Sequence, residues 1–225
     1  MKIEDLPKKF TKFEWYLLTT SILAILIVAL VTPSTNPIAT IASIIGAISL
    51  IFVAKGNYFA FVLVILFCVL YSVAAYSERA YSEMINLLAI EVPFAFLSFF
   101  KWKNVNSDNS EAVEVNNLKL KEHIILIIST IIAAVPLYFL FKYMNIENIF
   151  VAIFAILSLF IASYLLLRRS KYYAVAFILN DIFEILFWII IAANGGSSSP
   201  IIVLFFVYLF NDTYGLISWF KRAKK

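Results

Sequence analysis

The sequence is poor in the residue types that build disulfides and metal sites. It contains one cysteine, Cys68, and one histidine, His123, among 225 residues. A single cysteine forms no disulfide within the chain, and its place in an apolar run indicates a small buried side chain. One histidine with no cysteine beside it lacks the ligand set of a zinc site. The sequence therefore predicts no metal and no cofactor.

Charge is also scarce. Charged residues make up 14% of the chain and hydrophobic residues 63%, whereas a soluble domain is typically about 25% charged. The one glycine-rich stretch, 195–200, has no lysine motif after it, so it is not a phosphate loop. The lone cysteine and histidine offer no nucleophile–base pair. We therefore expect neither an enzyme nor a pump driven by ATP.

Long apolar runs are abundant instead. Each is close to the roughly 20 residues that a helix needs to cross a bilayer. Lipid cannot hydrogen-bond to exposed backbone N–H and C=O groups, so these runs must be helical. The first run is longer than the apolar core of a signal peptide and lacks a convincing cleavage site, so we interpret it as a retained helix. The eight runs are 13–32, 37–54, 58–76, 83–100, 124–143, 148–167, 172–193 and 200–220.

The basic residues indicate how these helices are oriented. With the N-terminus in the cytoplasm and eight crossings, 16 of the 18 Lys and Arg residues fall on the cytoplasmic side, and only Arg79 and Lys142 fall outside. Such a bias sets orientation in multi-pass proteins. The sequence thus predicts a multi-pass protein of the inner (plasma) membrane with both termini cytoplasmic. This bias also explains the net charge of +4, so no nucleic-acid partner is expected.

Two parts of the chain resemble each other. Residues 57–62 and 171–176 both open a helix after a basic loop, and residues 97–101 and 217–221 both close one. The two halves then form parallel repeats, an architecture in which the substrate site lies between the repeats near the bilayer midplane.

We accordingly predict an all-α integral membrane fold of about eight transmembrane helices, with two parallel triple-helix bundles, a linker helix and one N-terminal helix. The boundaries follow from the runs. They are 1–36 for the tail and first helix, 37–102 for the first bundle, 103–146 for the cytoplasmic loop and linker helix, and 147–225 for the second bundle and basic tail.

Four carboxylates interrupt the apolar runs: Glu91, Asp181, Glu184 and Asp212. A charge at the bilayer centre costs roughly 2.5–3.5 kcal/mol, so four unpaired charges would cost on the order of 10 kcal/mol. We therefore expect them to face a polar cavity. Carboxylates and amides accept hydrogen bonds from hydroxyls, while aromatic faces hold flat rings. The pattern favours a ligand that joins a sugar to a heterocycle.

The candidate substrate-binding residues share this chemistry and lie in the last helix of the first bundle and in two helices of the second. Buried amides also pin helices together, at about 0.6 kcal/mol each, and buried carboxylates also relay protons or sodium ions. Both alternatives stay open for these residues. The ten candidates are Asn86, Glu91, Asn180, Asp181, Glu184, Trp188, Tyr208, Asn211, Asp212 and Tyr214.

Three segments of the chain resemble the nicotinamide riboside transporter family, the PnuC type. They are 54–57 before the third helix, Asn86 through Pro93 to Trp102, and 214–219 in the last helix. The resemblance spans about residues 37–222. It implies two SWEET-like triple-helix bundles, a homotrimer, and facilitated diffusion of an uncharged vitamin or nucleoside that a cytosolic kinase then traps.

The resemblance implies nicotinamide riboside or a related nucleoside as the small-molecule substrate. Alternatives are a deoxynucleoside, thiamine or riboflavin carrier of the same family, or an ion-coupled transporter that uses the buried carboxylates. The acids Glu91, Asp181 and Glu184 depart from the family pattern. We interpret them as the residues that set substrate choice.

Overall fold

The computed structural model describes residues 10–32, 36–105, 113–146, 148–194 and 199–224. For residues 199 and 200 it describes the backbone only. Within these ranges every regular element is helical, and eight helices are long and apolar enough to cross a membrane. They are α1 (Lys12–Val31), α2 (Pro37–Lys55), α3 (Ala60–Ser77), α4 (Tyr81–Val105), α5 (Leu120–Tyr143), α6 (Ile149–Leu167), α7 (Tyr173–Ala193) and α8 (Ser199–Arg222).

The predicted all-α membrane fold with eight helices is confirmed, and the helix ends lie within a few residues of the apolar runs. Local sequence explains several of these ends. Thr11 and Glu14 form a reciprocal capping box at the start of α1. Asn36 caps α2 ahead of Pro37, a residue suited to the first helical position. The predicted glycine–serine stretch at 195–198 and the first nine residues lie outside the described part of the chain.

The turns after α2 and α6 have the same backbone conformation. Gly56 and Arg169 both adopt left-handed φ angles, of 73° and 59°. In each turn the next residue, Asn57 or Ser170, donates its backbone N–H to a carbonyl five residues earlier. This pattern ends a helix abruptly and satisfies its last carbonyls. The repeat proposed from residues 57–62 and 171–176 therefore recurs in backbone geometry.

The helix packing follows the same two-fold pattern. α2, the first helix of one bundle, packs against α8, the last helix of the other, while α4 packs against α6. α1 lies against α2 and α8, and α5 lies against α6. The loop before α5 links both bundles, because Val113 N–H donates to Gly56 O and Asn116 N–H to Arg169 O. The division at 37–102 and 147–225 stays a prediction that this packing favours.

The start of α1 and the end of α8 lie at one end of the bundle, here called the terminal end. Glu14 near the start of α1 accepts hydrogen bonds there from Lys55 at the end of α2 and from Tyr214 in α8. A cluster of aromatic rings fills the interior at this end. Trp102 packs edge-on against Phe61, Trp219 packs in the same way against Tyr173, and the two indole rings lie 5.6 Å apart.

α4 is not a uniform α-helix. Its middle, Asn86–Glu91, is π-helical, and Val92 N–H donates to Leu87 O, five residues earlier. Pro93 follows directly. Proline has no N–H to donate and its ring clashes with the carbonyl four residues before it, so it favours a local widening of the helix. The structure therefore has a π segment at the depth of the intramembrane polar residues.

Candidate functional site

A cavity lies between the two bundles near the middle of the helices, and we call it the central cavity. Its volume is about 60 Å³, enough for a few water molecules. Typical ligand clefts measure roughly 300–1,000 Å³. A nucleoside-sized ligand would therefore require the lining side chains or the bundles to move apart.

Five carboxyl groups line the central cavity: Glu83, Glu91, Asp181, Glu184 and Asp212. None is more than 9% exposed. They come from α4, α7 and α8, so both bundles contribute. Among the described residues that line the cavity, none is Lys, Arg or His. The cavity is thus an acidic compartment inside an apolar helix bundle.

The carboxyl groups are arranged in two close pairs. Glu83 lies beside Glu184, and Asp181 lies beside Asp212. Two neighbouring carboxylates repel each other, so such a pair is favourable only where one member carries a proton that both can share. Pairing in this way reduces the charge buried in the membrane. It also leaves carboxyl groups able to accept or release protons.

The π segment of α4 brings its polar residues to the cavity. Asn86 and Glu91 are five residues apart, which in an α-helix places two side chains about 140° apart around the axis. The i to i−5 hydrogen bonding of a π-helix brings residues five apart to one side. Both side chains consequently line the central cavity.

Amide and hydroxyl groups link the acids across the bundle interface. The Asn86 side-chain N–H₂ donates to Glu184 at 3.1 Å and to Glu83 at 3.2 Å. The Ser163 hydroxyl on α6 donates to Glu91 at 2.8 Å. Hydrogen bonds to charged groups contribute about 1.5–3 kcal/mol, so these contacts hold α4 against the second bundle.

Several buried acceptor atoms of the cavity have no hydrogen-bond partner within the described part of the chain. They are Asn86 Oδ1, Asp181 Oδ2, Glu184 Oε2 and Asp212 Oδ2. An unpaired buried polar atom costs about 1–3 kcal/mol. All four atoms accept hydrogen bonds. A ligand that donates from hydroxyl or amino groups would satisfy them.

Aromatic side chains form much of the remaining wall. The Phe67 and Tyr71 rings are stacked at 5.3 Å, and Tyr208 lies 5.9 Å from Phe67. Such walls contact the face of a flat heterocycle. The six rings that line the cavity are Phe67, Tyr71, Tyr173, Phe177, Phe205 and Tyr208.

The structure brings seven of the ten candidate residues to this one cavity. They are Asn86, Glu91, Asn180, Asp181, Glu184, Tyr208 and Asp212. Asn180 also anchors α7 to α6, because its amide donates to Ala155 O at 2.9 Å and to the Ser158 hydroxyl at 3.3 Å. It has both of the roles considered from the sequence, since it faces the cavity and joins two helices.

The other three candidates do not line the central cavity. Trp188 is fully buried behind Tyr71, with ring centroids 6.1 Å apart. Asn211 donates to the Ser21 hydroxyl of α1 and to Val207 O, as the helix-pinning alternative expects. Tyr214 donates to Glu14 at 2.9 Å, at the terminal end. Their assignment to the substrate site stays a prediction that these positions do not favour.

Sequence reasoning missed one acid and most of the aromatic wall. Glu83 stands at the very start of a predicted apolar run, where a charged residue is common, but Asn86 follows it on the same helical face three residues later. That spacing was the available signal. The aromatic residues gave no such signal, because the chain has 22 Phe and 12 Tyr and most of them cannot be told apart by sequence position.

The cavity occurs in a chain with clear relatives. Residues 36–221 match the family described as "Nicotinamide mononucleotide transporter". The chain is 24% identical to the "Nicotinamide riboside transporter PnuC" of Neisseria mucosa, over 96% of this chain and 84% of that protein. It is also 24% identical to the protein of that name from Haemophilus influenzae, over 84% of this chain and 81% of that protein.

A solved structure supports the fold independently of these matches. It is described as "Crystal structure of the Vitamin B3 transporter PnuC" and superposes with a TM-score of 0.83, covering 96% of this chain and 93% of that one. Its sequence identity of 22% supports a shared fold only. Because the family match covers most of the chain, this protein is a member of the nicotinamide mononucleotide transporter family.

Proposed function

We propose that this chain carries a nucleoside-like or B-vitamin molecule across the membrane, with nicotinamide riboside or a related nucleoside as the substrate. One observation supports this most strongly. The central cavity combines unpartnered buried acceptors with aromatic walls, which matches a hydroxyl-bearing sugar joined to a flat ring. The names of the two relatives agree with this substrate class.

The charge of the cavity favours a nucleoside over a nucleotide. A phosphate monoester carries about −1.5 to −2 charges and needs Arg, Lys or helix N-termini to bind it. The described lining offers five carboxyl groups and no basic side chain. A pyridinium or thiazolium cation would be attracted there. We therefore place nicotinamide riboside and thiamine ahead of the uncharged riboflavin and deoxynucleosides.

We propose facilitated diffusion in the plasma membrane, with both termini in the cytoplasm and trapping of the product by a cytosolic kinase. The sequence has no nucleotide-binding motif to drive transport within this chain. Phosphorylation on the cytoplasmic side gives the substrate a charge that this acidic cavity disfavours. Return through the same path would then be blocked, and net uptake would follow.

Proton coupling is the second candidate mechanism, and the paired carboxyl groups favour it. Glu83 with Glu184, and Asp181 with Asp212, are buried acids of the kind that relays protons in transporters. Uptake of substrate into proteoliposomes distinguishes the two mechanisms. Facilitated diffusion predicts accumulation only to the outside concentration, whereas proton coupling predicts further accumulation when an inward proton gradient is imposed.

A thermal-shift screen of the purified protein tests the substrate directly, since a bound ligand raises apparent stability by mass action. We expect nicotinamide riboside or thiamine to raise Tm, and nicotinamide mononucleotide to leave it unchanged. A shift with the mononucleotide alone would contradict the charge argument. No shift with any nucleoside or vitamin, together with no saturable uptake, would contradict the proposed function.

We further propose a homotrimer, as the family resemblance implies. α5 leaves much of its apolar surface uncovered within one chain, including Ile127, Ile131 and Ile132. Such a surface fits either lipid or another subunit. Light scattering of the detergent-solubilised protein would give the mass of the assembly, and a mass of one or two chains would contradict the trimer.

A further inference from the structure

A second and larger cavity, the vestibule, lies at the end of the bundle opposite to the terminal end. Its volume is about 570 Å³. The turn between α3 and α4, the turn between α5 and α6, and the end of α7 form its walls. It is therefore large enough for a nucleoside, within the range of typical ligand clefts.

Only a narrow constriction separates the vestibule from the central cavity. Ser82 and Phe187 line both the vestibule and the constriction, while Glu83 and Asn86 line both the constriction and the central cavity. The constriction has no volume for a water molecule. Shared lining residues thus connect the three spaces in the order vestibule, constriction and central cavity.

Phe187 is the bulky side chain at this constriction. On α7 it lies three residues after Glu184, which faces the central cavity, and four residues before Ile191, which faces the vestibule. Spacings of three and four place these side chains along one face of the helix. The Phe187 ring is 6% exposed and packs edge-on against Trp188 at 5.7 Å. α6 contributes only small side chains to the constriction, Ala152 and Ala155.

The rim of the vestibule is built from short, sharply turned connections. Arg79 and Asn145, which lie in the turns after α3 and α5, adopt left-handed φ angles of 57° and 52°, and Asn148 before α6 has 54°. All three line the vestibule. Left-handed residues end a helix abruptly and fix the chain direction. Rotation of the Phe187 ring into the open vestibule is therefore a smaller movement than a displacement of these turns.

We propose that the vestibule is the outer mouth of the transport path and that the Phe187 side chain is the gate between it and the carboxyl-lined central cavity. The ring blocks the path in the conformation seen here and opens it by rotating into the vestibule. The proposal rests on the proposed transport function and orientation. It adds the route by which substrate reaches the acids and names the side chain that controls the route.

Labelling of introduced cysteines in intact cells tests the gate without knowledge of the substrate. The chain has one native cysteine, so a Cys68→Ala background has none. Ile191→Cys reports on the vestibule and Leu87→Cys on the central cavity. A cationic, membrane-impermeant methanethiosulfonate added outside should label Ile191→Cys readily with or without Phe187→Ala. Leu87→Cys should react about tenfold faster with Phe187→Ala, a barrier lower by about 1.4 kcal/mol.

Phe183→Ala is the matched control, because Phe183 lies one turn away on the same helix, stacks on Phe154, and lines none of the three spaces. Faster labelling of Leu87→Cys with Phe183→Ala as well, or no change with Phe187→Ala, would overturn the gate. Slow labelling of Ile191→Cys from outside would overturn the outer mouth. If Phe187→Ala fails to fold, Phe187→Leu should give an intermediate rate.

Substrate binding by the same variants separates this proposal from the proposed function. A gate variant that keeps the thermal shift but shows unchanged labelling contradicts the gate alone. If neither the parent chain nor any variant binds a nucleoside or vitamin, the proposed function is contradicted. The labelling result still decides whether Phe187 controls access to the cavity.

Discussion

The side-chain nitrogen of Asn86 lies 3.1 Å from a carboxylate oxygen of Glu184, across the interface between the two helical bundles. The same nitrogen lies 3.2 Å from Glu83 on its own helix. One amide thus holds two acids of the central cavity and joins α4 to α7. Any separation of the bundles that admits a substrate must lengthen this contact, so it belongs both to the proposed binding site and to the contacts that keep the cavity narrow.

Removing this amide should weaken ligand binding and stability together. Asn86→Ala leaves Glu83 and Glu184 in contact without their shared donor, and we expect a loss of about 1–3 kcal/mol in the free energy of unfolding. Ligand affinity should also fall, because Asn86 Oδ1 is an open acceptor of the cavity. Calorimetric titration and thermal unfolding measure the two effects.

Asn211→Ala is the matched control for that variant. Asn211 is a buried amide that pins α8 to Ser21 of α1 and does not line the central cavity. We expect a lower Tm and an unchanged Kd. Equal losses of affinity for Asn86→Ala and Asn211→Ala would place both amides in the site and contradict the distinction drawn from the structure.

Neutralising an acid of the cavity should separate affinity from stability. Glu184→Gln and Asp181→Asn keep the side-chain shape but remove one carboxyl group from each pair, and the ionised form of that group is costly to hold in a membrane. We therefore expect a Tm that is unchanged or higher. The Kd for a cationic ligand should rise by about tenfold or more, a loss of at least about 1.4 kcal/mol.

Glu14→Gln serves as the comparison, since Glu14 pairs with Lys55 at 3.0 Å outside the cavity. That variant should lower Tm and leave the Kd unchanged. If Glu184→Gln and Asp181→Asn both bind every ligand as the parent chain does, the acids have no part in substrate recognition.

The Tyr214 hydroxyl should contribute to stability only. It donates to Glu14 at 2.9 Å and ties α8 to α1 at the terminal end. Tyr214→Phe removes this one hydrogen bond, so we expect a loss of about 1 kcal/mol in the free energy of unfolding. Uptake and Kd should stay at the level of the parent chain. A large rise in Kd would restore Tyr214 to the substrate site.

Gly46 should tolerate no side chain. A Cβ there would overlap the Tyr208 hydroxyl and lie 2.9 Å from Tyr208 Cζ and 3.1 Å from a Phe67 ring carbon. Both rings line the central cavity, so Gly46→Ala should push them inward and impair both uptake and stability. Overpacking of this kind costs about 1–3 kcal/mol. Adding Tyr208→Phe should recover part of the stability, and no recovery at all would argue against this clash.

The sequence predicted the helices well because a membrane constrains them strongly. Lipid offers no hydrogen bonds to the backbone, so long apolar runs in a membrane must form helices. The predicted run 172–193 differs by one residue from α7, Tyr173–Ala193. The acids were found for the same reason. A carboxylate such as Glu184 in the middle of an apolar run is costly and therefore conspicuous.

The sequence was least informative where the outcome depends on direction around a helix axis. Asp212 and Tyr208 are four residues apart and face the cavity together. Tyr214 is only two residues from Asp212, which turns its side chain about 200° away, and the same helix carries it towards α1. Glu83 was missed because the start of α4 could not be placed from hydropathy alone, and the π segment could not be foreseen because it depends on local hydrogen bonding around Pro93.

That π segment gives α4 an unusual response to changes in chain length. A widened turn of this kind holds one residue more than an α-helix needs, so deleting one residue between Asn86 and Glu91 could restore regular α geometry without breaking the helix. Asn86 and Glu91 would then be four residues apart, a spacing that places both side chains on one face of an α-helix. Glu83, Asn86 and Glu91 would therefore still face the cavity. In this helix the widened turn absorbs one residue without changing which acids line the space between the bundles.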